Sequence, residues 1–263
     1  MKFDVVLIDR VGMPFVGSEL HTKGLGGSEQ GAIILAEGLA ARGLTVAVFS
    51  NTYKTEIEKG VLYAPVSSLN PELEADTVLA WRATPIPSIP CRKTIVALHD
   101  AYVADAYDSV EVAMKEGRDV TAVFVSDYQA SLYPEHWQKR VIHPALPKGA
   151  YRTANVHLMP GHFTLGERQE GVVRYLYASA ACKGLDATLK AWVDIFGDDP
   201  KDAELYVTNP GYDEHLVPKT LPKGVTYLGV LPSISDVVDV MDQCDALFYV
   251  NAGFPEMYPV TVA

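Results

Sequence analysis

Short apolar runs without polar alternation, several of them followed by a helical stretch, recur along this chain, and few architectures can hold them. Residues 3–9 (FDVVLID), 45–50 (TVAVFS), 77–81 (TVLAW), 94–100 (TIVALHD) and 122–127 (AVFVSD) are of this kind. A strand buried on both faces has this pattern, and strands joined by helices make a parallel sheet with right-handed crossovers. The rhythm restarts with 172–179 (VVRYLYAS), 203–208 (AELYVT), 225–230 (VTYLGV) and 246–250 (ALFYV). Two Rossmann-like halves are expected, 1–150 and 151–263, with residues 148–170 as the connection and 141–147 (VIHPALP) as a strand leading out of the first half. The chain has 263 residues, 48% of them hydrophobic, which is enough to bury a core in each half.

Helices are expected at five places. One follows GLGGSE, with Ala32, Leu35, Ala36 and Leu39 on its inner face and Gly43 at its C-terminal cap. Others cover roughly 105–116 and 127–133, the latter capped by Ser126 or Asp127. A fourth covers 184–197, with Leu185, Leu189, Trp192 and Ile195 on one face, and 233–244 is a fifth stretch of helical pattern. Residues 10–24 and 51–75 are expected to be variable loops.

Charge and cysteine content exclude some functions. The net charge is -11, with 22 Lys plus Arg against 33 Asp plus Glu, so the chain is not expected to grip a nucleic-acid backbone. Cys91, Cys182 and Cys244 are sparse and far apart, without a CxxC pair or a Cys/His cluster. That argues against a structural zinc and for a reducing compartment. No apolar run reaches membrane-spanning length and no basic amphipathic helix is evident, so a soluble cytoplasmic protein is expected and membrane docking is not indicated. Asp4 and Asp9 read as part of a solubilising acidic surface.

Four stretches could carry chemistry, all at the carboxyl ends of expected strands, where α/β sheets bind ligands. Gly26 and Gly27 open the first helix, and glycine lets a backbone approach a phosphate whose charge suits a helix N-terminus. A helix start with glycines chosen for turn geometry explains them equally well, and the spacing is not that of a nicotinamide site. His99 stands at a strand end, where it could orient a sugar or phosphate; taken alone, it is better read as an imidazole bonded to a backbone carbonyl. Lys183 and Gly184 follow the first strand of the second half, where a cation beside a helix N-terminus can neutralise a diphosphate. An ordinary surface lysine is the plainer reading. Glu256, in NAGFPEMYPV, is a carboxylate in a shaped loop that can accept hydrogen bonds from sugar hydroxyls, or a loop residue with no task.

The order of these stretches resembles the family 4 retaining glycosyltransferases. It is carried by GLGGSEQGAIILAEGLAARGLTVAVFS, by KGLDATLKAWVDI with AELYV after it, and by VTYLGVLP leading to DALFYVNAGFPE. The resemblance implies a GT-B-like α/β fold, with two facing Rossmann-like domains of parallel sheets, the second one incomplete. The first would be the acceptor side and the second the nucleotide-sugar donor side. It implies transfer of a sugar from a nucleotide-diphosphate donor to an unidentified acceptor with retained configuration and without a metal or other cofactor. By the same resemblance, Gly26 and Gly27 approach the donor phosphates and His99 lies near the transferred sugar. Lys183, beside Gly184, stabilises the leaving diphosphate, and Glu256 is the first Glu of an E-x7-E motif that contacts the donor sugar.

Two departures from the family pattern stand out. The family's Arg about five residues before the Lys is missing; Ala178 and Ser179 stand in that region, and Arg174 is too far back along the strand. The second Glu of the motif would follow Ala263 directly. The chain is thus expected to be a piece of a longer enzyme, or a short natural form whose site a partner chain or a second copy completes. A partner-dependent or non-catalytic sugar-nucleotide binding subunit is the competing expectation, and a sugar-nucleotide epimerase a third.

Overall fold

In the computed structural model of the chain, residues 2–70, 72–82, 86–99, 104–143, 163–211 and 213–251 are described. Two compact units form, each with its own sheet: of the described residues, one takes in 2–19 and 26–143, the other 20–25 and 163–251.

The first sheet has eight strands: β1 (Lys2–Ile8), β2 (Val46–Ser50), β3 (Glu56–Glu58), β4 (Val61–Pro65), β5 (Glu74–Trp81), β6 (Cys91–Leu98), β7 (Val120–Phe124) and β8 (Lys139–Val141). Their spatial order is β3-β4-β2-β1-β5-β6-β7-β8. All pairings are parallel except β3 with β4. Consecutive residues Val6, Leu7 and Ile8, and all of β2, are buried, so both faces of these strands are covered, as their unbroken apolar runs require. The chain winds outward from β1 through β2 and β4, then restarts beside β1 with β5 and winds the other way. The strand order thus reverses between β1 and β5, and sheets of this kind take ligands at the carboxyl ends of the strands beside such a reversal.

Helices α1 (Gly27–Ala40), α2 (Ala104–Lys115) and α3 (Asp127–Ser131) connect these strands. In α1 the buried apolar residues are Ala32, Ile33 and Ala36, while Leu35 of the expected inner face is turned outward. Gly43 closes α1 as expected, at φ +87°, with its N–H on Ala40 and the N–H of Leu44 on Leu39. That pair of bonds satisfies carbonyls the helix leaves open. A Cβ on Gly43 would meet nothing within 4 Å, so Gly43→Ala carries only the backbone penalty. The variant is expected to lose about 1 kcal/mol in chemical denaturation. Ser126 caps α3 by accepting a hydrogen bond from the Gln129 N–H, and Lys139 Nζ donates to the carbonyls of Ala130 and Tyr133 just beyond.

Residues 51–75, expected as loop, contain the β3–β4 hairpin. Lys59 and Gly60 both have positive φ, as a tight two-residue hairpin turn requires. β3 is an acidic edge strand whose Ile57 faces outward, so it shows no buried apolar face in the sequence, whereas β4 buries Val61, Tyr63 and Ala64. The strand expected at 141–147 is instead Lys139–Val141, and residues 144–147 lie outside those described.

The second sheet has four parallel strands, β9 (Val173–Ala178), β10 (Ala203–Thr208), β11 (Val225–Gly229) and β12 (Ala246–Leu247), in the order β11-β10-β9-β12. Its reversal lies between β9 and β12. Helix α4 (Leu185–Phe196) covers one face with Leu185, Leu189 and the fully buried Trp192. Ile195, expected on that face, is 64% exposed, and Phe196 takes its place against Trp192 at 4.4 Å between ring centroids. A helix turns 100° per residue, and Phe196 is closer in angle to Leu185 and Leu189 than Ile195 is. Helix α5 (Ile234–Asp242) is capped by Ser233, which accepts from the Asp236 N–H. Among the described residues no helix is long and apolar enough to cross a membrane.

Candidate functional site

The reversal point of the first sheet holds a buried group of charges. Asp9 directly follows β1, Arg82 directly follows β5, and Glu29 lies in the first turn of α1. Arg82 Nη2 lies 2.5 Å from Glu29 Oε1 and 3.2 Å from Asp9 Oδ2. Asp9 is 1% exposed and Glu29 is buried as well. Asp9 is therefore not a solubilising surface residue. Its Oδ1 accepts hydrogen bonds from the N–H groups of Val11 and Gly12, and Glu29 Oε1 accepts from Met13. The loop after β1 is thus built on carboxylates from two elements. Asn51 ties down its outer side by donating to the carbonyls of Arg10 and Gly12. A Cβ on Gly12 would come within 2.6 Å of both Arg82 Nη2 and Asp9 Oδ2, so only glycine fits there.

Two carboxylates on one guanidinium leave the group one negative charge in excess when both are ionised. Burial pushes the Asp9 carboxyl above its ordinary range, against the pull of Arg82, and Glu29 pushes it the same way as burial. Asp9 Oδ2 and Arg82 Nε make no hydrogen bond in the described structure. Arg82 also has φ +58°, a left-handed backbone that costs a bulky residue about 1–2 kcal/mol.

His99, just past the end of β6, stands beside this group. Its Nδ1 is 3.0 Å from Ser28 Oγ in the first turn of α1. Trp81 packs edge-on against its ring, with centroids 4.4 Å apart, and donates its indole N–H to the Ser28 carbonyl. Burial, and then the charge of Arg82, press the His99 pKa down to about 4. His99 is uncharged at neutral pH, and among the described residues its Nδ1 meets the Ser28 hydroxyl rather than a backbone carbonyl.

Gly26 is the N-cap of α1 and Gly27 its first residue, so the structure sets the glycine pair, Ser28 and His99 together at the start of one helix. Asp9, Glu29 and Arg82 were not foreseen as a group. The one signal available was an acidic residue just past an apolar strand, and Asp9 shares it with many surface residues.

The low pKa of His99 has a consequence for stability. The unfolded chain binds a proton at His99 near its ordinary value of about 6.5, whereas the folded chain does so only near 4. Stability is then lost as pH falls through that window, by up to about 3 kcal/mol. Asp9, with its raised pKa, acts in the opposite sense as pH rises above its ordinary range. Denaturation midpoints of the wild type and His99→Gln, compared between pH 7 and 4.5, isolate the histidine: the variant is expected to lose less stability on acidification.

The reversal point of the second sheet holds Lys183 and Gly184. After β9 the chain makes a 3-10 turn (Ala181–Lys183), passes through Gly184 at φ +118° and enters α4. The left-handed glycine turns the chain so that the half-buried Lys183 directly precedes the α4 N-terminus. Residues beyond β12 bind this corner: Tyr249 donates its hydroxyl to the Lys183 carbonyl, and the Val250 N–H donates to Thr188 Oγ1. The positive end of α4 and an ammonium thus lie at the ligand-binding edge of the sheet. Arg174 is committed elsewhere. It is buried within β9, paired with Glu204 at 3.1 Å, donating to the Gly166 carbonyl and lying over the Tyr206 ring. Burial and a hydrogen bond to Asp213 raise the Cys182 thiol to about 11, which leaves it unsuited as a nucleophile. Glu256 lies outside the described residues. Among the described residues no group of three or more His, Cys, Asp or Glu could hold a metal ion.

No protein-family model and no curated protein matches the sequence. Solved structures do. Sucrose-phosphate synthase from Thermosynechococcus elongatus superposes with a TM-score of 0.64 at 15% identity, over 98% of this chain and 77% of that one. WaaG, a glycosyltransferase involved in lipopolysaccharide biosynthesis, superposes with a TM-score of 0.56 at 16% identity, over 92% of this chain and 74% of that one. The fold is GT-B-like. At such identities the likeness concerns the fold, and the chemistry must be argued from the residues.

Proposed function

We propose that this chain is a retaining glycosyltransferase of the family 4 type that moves a sugar from a nucleotide-diphosphate donor to an acceptor. The observation that carries the proposal is the corner Ala181–Gly184, where Lys183 precedes the N-terminus of α4 at the reversal point of the second sheet. In the transfer the bond from the anomeric carbon to the diphosphate oxygen breaks, and negative charge grows on the departing diphosphate. Lys183 and the free N–H groups of α4 stabilise that charge more in the transition state than in the bound donor, which is what raises the rate.

The first unit, residues 1–150 in this proposal, supplies the acceptor side. His99 is uncharged and so serves as a hydrogen-bonding group for a sugar hydroxyl rather than as a cation for phosphate. The first turn of α1, with Gly26 and Gly27, offers backbone N–H groups to the donor phosphates. Residues 151–263 supply the donor side, with Lys183, Gly184 and Glu256, the last accepting from hydroxyls of the donor sugar. The reading requires no metal.

Thermal denaturation with UDP, GDP and ADP tests donor binding. A nucleotide at 100 times its dissociation constant adds about 2.7 kcal/mol to stability. One of the three is expected to raise the midpoint in the wild type and to raise it less in Lys183→Ala. No shift with any nucleotide would contradict the proposal. One observation favours a second reading, a sugar-nucleotide binding subunit without transfer activity of its own: Arg174 is held by Glu204, so it adds no second cation to Lys183. That reading predicts the same thermal shift without turnover.

A further inference from the structure

The corner Ala181–Gly184 depends on a residue that does not choose its own conformation. Gly184 has φ +118°, and a glycine takes positive and negative φ about equally well. The turn that sets Lys183 before α4 must therefore be selected from outside Gly184. The N–H groups of Lys183 and Gly184 reach the carbonyls of Ala180 and Ala181, the second at a long 3.4 Å. The Lys183 carbonyl lies outside the ladder of α4, whose first bond runs from the Thr188 N–H to the Gly184 carbonyl.

Two tyrosines supply what this backbone leaves open. Tyr177, fully buried in β9, donates its hydroxyl to the Ala180 carbonyl at 2.8 Å. Tyr249, just past β12, donates its hydroxyl to the Lys183 carbonyl at 3.2 Å. The two rings pack against each other with centroids 5.5 Å apart. The next residue, Val250, donates its N–H to the hydroxyl of Thr188, which is buried in α4. Tyr249 is thus fixed from two sides, by the Tyr177 ring and by α4, with its hydroxyl on the carbonyl that precedes Gly184.

We propose that Tyr249 is a positioning residue: its hydroxyl fixes the peptide between Lys183 and Gly184, keeps Gly184 left-handed and so holds Lys183 at the start of α4 for a diphosphate. The diphosphate clause rests on the glycosyl-transfer reading; the hold on the peptide does not. Turning that peptide over would swing its carbonyl away from Tyr249 and break the bond, so the bond favours one of the two arrangements open to glycine. A site whose competent arrangement is only partly populated binds its ligand more weakly by that fraction.

The test uses Tyr249→Phe, which keeps a ring against Tyr177 and removes only the hydroxyl. NMR relaxation of the Gly184 amide reads the peptide directly, without a ligand. The wild type is expected to show one sharp signal, and the variant a signal broadened by exchange between two arrangements, or two signals. Equal relaxation in the two proteins would overturn the proposal. Calorimetry with UDP, GDP and ADP then reads the effect on Lys183. The nucleotide that the wild type binds is expected to bind Tyr249→Phe about 3–10-fold more weakly, the fold-change that one net hydrogen bond represents. Placed in Lys183→Ala, the same substitution is expected to weaken binding less than it does in the wild type, since its effect passes through the ammonium. An equal loss in both backgrounds would overturn the positioning role, because a merely structural tyrosine would act independently of Lys183. If Gly184 loosens as expected but the wild type binds no nucleotide, the glycosyl-transfer reading falls and the hold of Tyr249 on the corner stands.

Discussion

Arg82→Met is expected to cost about 3–5 kcal/mol of folding stability, a large share of what a domain of this size holds. The substitution leaves Asp9 and Glu29 buried without a cation, and Asp9 already has a raised pKa in the presence of Arg82. An uncompensated buried charge is among the most destabilising single changes known in proteins. Part of the loss is expected to return in the triple variant Asp9→Asn/Glu29→Gln/Arg82→Met. The amide oxygens there can still accept the N–H groups of Val11, Gly12 and Met13 that the carboxylates now hold. Urea denaturation of the three proteins checks this. Equal stability in Arg82→Met and the wild type would mean that the guanidinium contributes nothing net to the group.

Lys183→Ala is expected to lower turnover by about 10²-fold or more, the scale found when one donor to a developing oxyanion is removed. The fold should survive, because backbone bonds that hold this corner do not need the side chain: the Lys183 N–H donates to the Ala180 carbonyl and its own carbonyl accepts from Tyr249. Gly184, which sets the turn, is untouched. Circular dichroism and a denaturation midpoint near that of the wild type, together with the fall in kcat, separate lost chemistry from lost structure. Unchanged kcat would remove Lys183 from the reaction.

Much of the architecture was legible in the sequence because its signals are local. The run AELYVT is a strand from its first residue to its last, and Ser126 caps α3 through a bond that reaches only three residues. The faces of the helices were less clear. Leu35 and Ile195 satisfy helical spacing but point outward, because the stripe that packs is set by the sheet beneath the helix. Ile33 and Phe196 fit that stripe better. β3 escaped because an edge strand need bury only one face, and its charged residues mask the pattern.

The sites divide in the same way. His99 and Lys183 could be singled out because each follows an apolar strand, and a strand end is recognisable from its own neighbours. The partners of Asp9 could not, since Glu29 and Arg82 come from other elements brought together only by the reversal of strand order. A buried carboxylate after a strand and an exposed one look the same in sequence. The arginine that the family resemblance leads one to expect shows the reverse case: by counting, Arg174 lies too far back on its strand, and the structure shows it paired with Glu204 there.

The most direct measurement of the central claim is turnover. The purified chain would be incubated with UDP-, GDP- and ADP-sugars and a panel of hydroxyl-bearing acceptors, with release of nucleoside diphosphate followed and the anomeric configuration of any product read by NMR. The account predicts release with one nucleotide class, dependent on acceptor and on Lys183, and a product with the configuration of the donor. Binding of a nucleotide sugar without release would favour the binding subunit, an isomerised donor would point to an epimerase, and an inverted product would contradict retention. Neither binding nor release with any of the donors would contradict the account as a whole.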